Sequence, residues 1–258
     1  MNHPVLSSHS RRGHGTAAAR QSGIATSGSP GVIDLEVVGP SEPDRLELEQ
    51  YIYERYRRVY GANLQDFLPH LLALRRLDDT LIGALGYRLA ADEPLFLEAY
   101  LEWPADAMLS QRLGIQIHRA RIVEVGNLVS TSPGGARRLI MVLTALLKGM
   151  GLRWVIFTGT PTLLNTFSRL GIDLVRMAPA VKERVADADT CWGSYYDVHP
   201  WVVATDVRRT FHHLRSKLFV AESSSPLKAL WCRAYRVGAA QGRAAPPDLP
   251  TSGREYAL

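Results

Sequence analysis

One stretch near the middle of the chain constrains the fold most, because it combines two strands with a helix between them. The first apolar strand is ARIVEVGNLVS (residues 120–130), and the second is RWVIFT (153–158). Between them lie a Pro-Gly-Gly turn and a helix-forming run, ARRLIMVLTALLKGM. A strand–helix–strand unit of this kind places its two strands parallel, with a right-handed crossover. We therefore expect a parallel pair at the centre of the sheet.

The segments on either side of this unit contain further strands that we expect to pair antiparallel. Before it come a strand at 32–38, a helix ended by Gly61, strands at 70–76 and 80–90 that suit a hairpin, and two short helical pieces, LFLEAYL and AMLSQRL. After it come a helix, TLLNTFSRL, a strand, IDLVRMAP, and a last strand within CWGSYYDVHPWVVATD. This order predicts an α/β (α+β) fold with a central mixed β-sheet and helices on both faces.

The charge is unevenly distributed, and this argues against a nucleic-acid partner. The chain has 30 Lys and Arg against 25 Asp and Glu. Residues 1–31 carry three basic and no acidic side chains, whereas residues 207–258 carry nine basic and three acidic ones. Residues 32–206 hold 18 basic and 22 acidic side chains, so this central part is mildly acidic and unsuited to a phosphate-tracking groove.

Composition along the chain predicts three regions. Residues 1–31 lack apolar periodicity and predict a disordered extension, although their Arg and Ser content also resembles a transit peptide. Residues 32–206 predict the folded domain. Residues 207–258 predict a basic, mostly mobile tail with at most one short helix after residue 220.

Several classes of protein are disfavoured by what the sequence lacks. Two cysteines, Cys191 and Cys232, are too few for a disulfide scaffold, and no Cys/His cluster or HExxH motif indicates a metal. No apolar run approaches the roughly 20 residues that span a bilayer, and the first residues lack the apolar core of a secretory signal. We expect a cytoplasmic protein without a metal cofactor.

A glycine pair after the first central strand predicts an anion site. Gly134 and Gly135 open the following helix, whose first backbone N–H groups have no intrahelical acceptor and lie at a positive helix end. The local sequence, TSPGGARR, matches neither a P-loop nor a dinucleotide fingerprint. An ordinary beginning of a helix explains the glycines equally well.

Glu124 is the strongest catalytic candidate, because it interrupts an otherwise apolar strand. A buried carboxylate needs a partner or a raised pKa, and a raised pKa suits a general base acting on an amine or hydroxyl. A structural salt bridge to Arg88, Arg119 or Arg121 is the alternative.

Other polar residues allow both functional and structural interpretations. Asn127 either donates to a substrate carbonyl or satisfies the backbone where the strand splays. Arg55 lies on the first long helix, where it either binds a substrate carboxylate or belongs to a solvated face. Tyr195 and Tyr196 are candidates for a proton donor, and packing explains at least one of them. Cys191 is more readily explained as an inert thiol than as a nucleophile.

The element order resembles the GNAT acyltransferase fold. The segment NTFSRLGI is similar to the GNAT pattern that ends in Tyr, three residues, Gly and Phe, with Phe167 at the Tyr position, Gly171 matching and Ile172 replacing the Phe. Glu124 and the helix around Arg55 also resemble the acyl-homoserine-lactone synthase branch of that superfamily.

Over roughly residues 35 to 210 the chain is similar to the thermostable hemolysin family. The motifs RIVEVGNLVS, PGGARRLIMVLTALLKGMGLRWVIFTGT, NTFSRLGI and WGSYYDVHPWVVATD carry this resemblance in order and spacing. It implies a GNAT-like protein that transfers an acyl group from acyl-CoA or acyl carrier protein to a small-molecule amine or hydroxyl.

The resemblance also implies roles for particular residues. Glu124 would be the base, Tyr195 or Tyr196 would protonate the thiolate in place of Phe167, and Arg55 and Asn127 would bind the substrate. The implied cofactor-binding residues are Leu128, Val129, Ser130, Gly134, Gly135, Ala136, Arg137, Arg138 and Asn165.

The sequence is compatible with two other functions. One is a membrane-perturbing, haemolytic protein without catalysis, which needs an amphipathic basic element. The candidates for peripheral membrane contact are FHHLRSKLF and LKALWCRAYR in the C-terminal tail. The other is a catalytically inactive protein that binds an acyl thioester.

Overall fold

The computed structural model describes residues 33–220 and 225–242. The predicted N-terminal extension, residues 221–224 and residues 243–258 lie outside the described residues. The strands are β1 (Ile33–Val38), β2 (His70–Arg76), β3 (Leu81–Leu89), β4 (Ile122–Ser130), β5 (Trp154–Gly159), β6 (Val175–Pro179) and β7 (Trp201–Asp206). The α-helices are α1 (Arg45–Tyr60), α2 (Ala105–Leu113), α3 (Gly135–Gly149), α4 (Pro161–Leu170), α5 (Ala188–Cys191), α6 (Val207–Phe219) and α7 (Pro226–Gln241).

The seven strands form one mixed sheet in the order β1-β2-β3-β4-β5-β7-β6. Only β4 and β5 pair in parallel, and all other neighbours are antiparallel. The predicted strand–helix–strand unit is therefore β4–α3–β5, and the predicted hairpin is β2–β3. The predicted fold class, a mixed sheet with helices on both faces, is confirmed.

Different helices cover the two faces of the sheet, and successive side chains of β4 point to opposite faces. Val123 and Val125 pack into the core beneath α3, α6 and α7, whereas Ile122 packs into the core beneath α2. Helix α1 covers β2, β3 and β4 on the α2 face. This alternation places the side chain of Glu124 on the same face as that of Ile122.

Glycines end several of these helices where the sequence indicates. Gly61, Gly114 and Gly171 each adopt a left-handed conformation directly after α1, α2 and α4. The side chain of Thr160 caps α4, and Pro161 occupies its first turn. These residues are the ordinary stop and start signals of α-helices.

The segment expected to be a mostly mobile tail instead contains α6 and α7. Leu214 of α6, and Leu230, Trp231 and Ala234 of α7, are buried in the same core as α3. Gly238 permits the contact with α3, since a Cβ atom there would lie 2.0 Å from the carbonyl oxygen of Leu146. Apolar residues at helical spacing stabilise these two helices against the sheet although their other faces are strongly basic.

Candidate active site

The central parallel strands separate half-way along their length. Pairing joins Ile122–Val125 of β4 to Trp154–Phe157 of β5, and the register ends there. The remaining part of β4, residues 126–130, has no β5 partner in that register, although β3 still pairs with its other edge. The separation leaves a gap within the sheet, with backbone polar groups of β4 along one side.

A β-bulge at Asn127 accompanies the separation. Gly86 pairs with Gly126 and Ala84 with Val129, so two residues of β4 oppose one residue of β3. Asn127 has a φ of +53°, a left-handed conformation that asparagine tolerates better than most residues. Its Oδ1 accepts a hydrogen bond from the backbone N–H of Leu68 at 3.1 Å. This contact is the structural role considered for Asn127, and the residue also lines the cavities described next.

The larger of the two cavities that meet at this gap, 750 Å³, opens toward α3 and α4. Its walls include Leu128, Ile140 and Leu143 on one side and Phe157 and Phe167 on the other. Phe167, which occupies the position of the GNAT tyrosine, stacks on Phe157 with ring centroids 4.7 Å apart. The cavity is therefore mainly apolar, and its polar wall groups include the threonines 144, 158, 160, 162 and 166.

A smaller cavity of 200 Å³ lies on the opposite face of the sheet, beneath α1 and the 3-10 helix at Phe96–Tyr100. Glu124, Arg88 and Trp192 contribute to its wall. The two cavities share six lining residues, namely Tyr56, Val125, Gly126, Asn127, Thr158 and Tyr195. They thus meet at the gap between β4 and β5.

Glu124 is 4% exposed and lies in the wall of the smaller cavity. Burial raises its pKa, and hydrogen bonds from the backbone N–H groups of Phe96 and Leu97, together with the charge of Arg88, oppose that rise. These N–H groups lie 2.9 and 3.0 Å from its two carboxylate oxygens. A carboxylate offers about four acceptor positions, so two remain for a ligand or water.

The predicted alternative partners of Glu124 have other contacts. The guanidinium of Arg119 binds the carboxylate of Glu98 through two N–O contacts of 2.5 and 2.9 Å. Nη1 of Arg121 donates to the carbonyl of Gly151. Arg88 is the cross-strand partner of Glu124 on β3 and is the cation that acts on its pKa.

Tyr195 is placed at the junction of the two cavities, whereas Tyr196 is not among the residues that line them. The hydroxyl of Tyr195 lies 3.4 Å from the carbonyl oxygen of Thr158, at the end of β5 where β4 has separated. Burial raises the pKa of Tyr195 well above its usual value, so the hydroxyl stays protonated at neutral pH. The hydroxyl of Tyr196 instead lies 2.6 Å from that of Tyr100.

The WGSYYD motif needs glycine at position 193 because this segment packs closely against the end of α1. Gly193 has a φ of +52°, and a Cβ atom there would lie 2.1 Å from the carbonyl oxygen of Tyr60. The contact allows the 3-10 helix at Gly193–Val198 to dock on the end of α1. Trp192 then packs against Tyr195 and Tyr56, with centroid distances of 5.3 and 6.3 Å. An aromatic cluster thus forms beside the gap.

The glycine pair lies at the end of β4 and begins α3, as predicted. Gly134 has a φ of +71°. A Cβ atom on Gly135 would lie 1.7 Å from Oγ of Ser130, so only glycine fits between the strand and the helix. Ala136 lines the larger cavity, Arg137 is exposed, and Arg138 contacts Oγ of Ser132. The first turn of α3 therefore lies beside the mouth of this cavity.

Of the predicted site residues, the two cavity walls contain Glu124, Asn127, Leu128, Ala136 and Tyr195, and the others lie outside them. The Arg55 guanidinium lies over the ring of Tyr51, 5.7 Å from its centroid, which fits the predicted alternative of a helix face. Asn165 is exposed on α4. Val129 is buried in the core beneath α1, and Oγ of Ser130 donates to the carbonyl of Ile82. The backbone of Val129 and Ser130 nevertheless belongs to the β4 edge that faces the gap.

Sequence reasoning missed several residues that line the site. Tyr56 lines both cavities, yet in sequence it is one apolar position in a helix. Thr158 ends a strand, and Thr162 and Thr166 lie one helical turn apart on α4, a spacing that indicates a shared face. Arg88, by contrast, is one of the three partners that the sequence offers for Glu124, and the register of β3 with β4 places it directly opposite.

The described residues were compared with three other kinds of feature, namely disulfides, metal sites and membrane-spanning helices. Neither of their cysteines forms a disulfide, and they contain no group of three or more His, Cys, Asp or Glu side chains suited to a metal ion. Within the described ranges, no helix has the length and apolar character that crossing a membrane requires.

The profile of a family described as thermostable hemolysin matches residues 38–211. Among solved structures, the chain is similar to FeeM, an N-acyl amino acid synthase from uncultured soil microbes, with 12% identity, a TM-score of 0.51 and coverage of 73% of this chain and 99% of that chain. It is also similar to the AHL synthase LasI, with 11% identity, a TM-score of 0.50 and coverage of 74% and 98%. A search of curated protein sequences gives no match. These likenesses establish that the chain shares the fold of these two synthases.

Proposed function

The chain belongs to the thermostable hemolysin family, and from this premise we propose that it transfers an acyl group from a thioester donor to an amine or hydroxyl acceptor. The observation that carries the proposal is the gap between β4 and β5, with a cavity on each face of the sheet and a shared junction. Two substrates entering from opposite faces would meet there.

In this proposal the larger cavity holds the acyl donor. The unpaired edge of β4 at residues 126–130 offers backbone hydrogen bonds to the pantetheine arm, as an exposed strand edge does to a peptide. Backbone N–H groups in the first turn of α3 suit a phosphate group, and Arg137 and Arg138 add positive charge nearby. The apolar walls suit the acyl chain. Acyl-CoA and acyl carrier protein both present such an arm, and both remain candidate donors.

The smaller cavity would then hold the acceptor beside Glu124. The acceptor nitrogen or oxygen attacks the thioester carbonyl, and the carbon–sulfur bond breaks as the new amide or ester bond forms. Glu124 removes a proton from the acceptor amine or hydroxyl and so makes it nucleophilic, and the raised pKa of Glu124 suits this role. Tyr195 donates its hydroxyl proton toward the departing thiolate and regains a proton from solvent.

This proposal assigns catalysis to one unit formed by the sheet and its helices. It also includes a cytoplasmic location, because acyl-CoA and acyl carrier protein are made there.

The test is release of free thiol by the full chain. Acyl-CoA and acyl-carrier-protein donors with acyl chains of several lengths are incubated with mixed amine and hydroxyl acceptors, and thiol and acylated product are quantified together. We expect thiol release that requires an acceptor and equals product formed. If a donor raises the melting temperature without any turnover, the chain binds acyl thioesters but is inactive, and the proposed activity is wrong.

A second candidate, membrane perturbation, is favoured by one feature. Helices α6 and α7 carry seven basic and no acidic side chains, and Phe219 and Val220 are 41% and 81% exposed beside them. However, the apolar faces of both helices are buried in the core, so lipid insertion would require them to detach. Leakage from anionic liposomes tests this candidate, with Phe219→Ser and Val220→Ser as the variants. Leakage by the wild type that these changes abolish, without thiol release, would favour it over catalysis.

A further inference from the structure

Arg88 and Glu124 form a pair of opposite charges in the wall of the smaller cavity. They are register partners on the antiparallel strands β3 and β4. Directly paired residues project their side chains on the same face of a sheet, with Cβ atoms about 4.5–5.5 Å apart. A molecule in this cavity therefore meets a carboxylate and a guanidinium side by side.

The guanidinium of Arg88 is only partly satisfied by the protein. Its Nη1 donates to the carbonyl of Pro94 at 3.1 Å, and its Nε lies 3.5 Å from a carboxylate oxygen of Glu93 without forming a hydrogen bond. Within the described part of the chain, Nη2 has no hydrogen-bond partner. Because a guanidinium carries five N–H donors, Arg88 keeps donor capacity for an anionic group of a ligand.

The rest of the cavity wall combines aromatic residues with aliphatic and polar ones, and Asp66 and Asp187 are among the polar ones. Tyr56, Phe96, Tyr100 and Trp192 surround the charged pair, and Phe96 and Trp192 lie 5.8 Å apart between ring centroids. The volume of 200 Å³ equals that of about seven water molecules in the liquid. It therefore suits a small molecule that has one apolar group in addition to its charges.

We propose that the acceptor is an α-amino acid with an apolar or aromatic side chain, whose ammonium group faces Glu124 and whose carboxylate binds Arg88. This inference rests on the proposed acyl transfer and narrows its acceptor. Arg88 thereby takes the carboxylate-binding role that the sequence suggested for Arg55. The ammonium gives one proton to Glu124, and the free amine attacks the thioester carbonyl. As the carbon–sulfur bond breaks, Tyr195 protonates the thiolate and the nitrogen releases its second proton to the solvent from which Tyr195 is reprotonated, so that an N-acyl amino acid and a thiol form.

Calorimetric binding to the full chain without a donor tests the inference separately from turnover. The probes are L-phenylalanine and L-leucine, their decarboxylated amines, and the matching acids without an amino group. We expect at least one amino acid to bind about tenfold or more tightly than either of its single-charge analogues. Equal binding of the amine and the amino acid, or no binding of either amino acid, would overturn the inference.

Variants of Arg88 test whether this residue binds the carboxylate of the amino acid and not its ammonium group. Arg88→Gln is expected to weaken amino acid binding about tenfold while leaving the amine within about twofold, and Arg88→Lys is expected to restore part of the loss. Arg58→Gln, an exposed change on α1 outside both cavities, is the matched control and should have no effect. Equal loss for amine and amino acid in a folded Arg88→Gln protein would contradict the assignment. Thiol release with other amines but no amino acid binding would leave the proposed function intact and remove this inference.

Discussion

Replacing Glu124 by glutamine tests the proposed base with little change in shape. The single side-chain oxygen of glutamine accepts from the N–H of either Phe96 or Leu97, and its NH₂ group faces the other N–H donor. One buried donor is left unpaired, which costs about 1–3 kcal/mol. For a domain of this size, each kcal/mol lowers the melting temperature by about 2–4 °C. The variant should therefore be folded but melt measurably lower.

The catalytic effect should be much larger than the effect on stability. General-base catalysis contributes about 10²–10⁴-fold, so thiol release by Glu124→Gln should fall by a factor in that range. In the wild type, burial raises the pKa of Glu124. Only the deprotonated carboxylate accepts a proton, so the rate should rise as pH increases through this raised pKa. The variant should lose that rise.

The assay is initial-rate thiol release across a pH series, together with melting curves for both proteins. Glu102→Gln is the matched control, because Glu102 is exposed and outside both cavities. A folded Glu124→Gln protein whose rate stays within about threefold of the wild type would refute the role of Glu124 as base.

Three further predictions address the proton donor and the stability of the fold. Tyr195→Phe should lower thiol release about a hundredfold, whereas Tyr196→Phe, whose hydroxyl contacts another tyrosine, should change it little; equal effects in the two rate assays would contradict the assignment. Gly238→Val should cost about 1–3 kcal/mol in urea denaturation because its Cβ meets the α3 backbone, while the exposed Ala240→Val should be neutral; an unchanged Gly238 variant would mean that α7 does not pack as described. Burial favours a higher pKa for Glu98, but its arginine partner and backbone N–H groups outweigh burial and lower the pKa from 4.5 to about 2. The stability from this depressed pKa is present above about pH 4.5 and is lost as pH falls toward 2, so acid titration of unfolding should show a weaker loss in Glu98→Gln.

Local sequence patterns predict most of the elements because those patterns reflect burial. The alternation in β4, the glycine stops after α1 and α4, and the apolar periodicity of α3 all identify elements that the structure contains. The same rule applies to α7, where Leu227, Leu230, Trp231 and Ala234 recur at helical spacing. The signal for that helix was present, but its basic residues and the adjoining Ser- and Pro-rich segments obscured it.

The arrangement of the site is harder to predict because it depends on register. Glu124 stands out in sequence as a charge in an apolar strand, but the sequence leaves three arginines open as its partner, and only the pairing of β3 with β4 selects Arg88. The bulge at Asn127 shifts the register of β3 with β4 where β4 separates from β5, and a single asparagine in a strand does not indicate a bulge. Likewise, Tyr195 and Tyr196 are adjacent in sequence, and only their packing distinguishes the cavity residue from its neighbour.

The most direct test of the central claim is a structure of the protein with a non-hydrolysable thioether analogue of its acyl donor. We expect the pantetheine arm to pair with the free edge of β4 at residues 126–130, the acyl chain to fill the 750 Å³ cavity, and the sulfur to lie at the junction near Tyr195. A donor bound elsewhere on the protein, with the gap between β4 and β5 empty, would contradict the account.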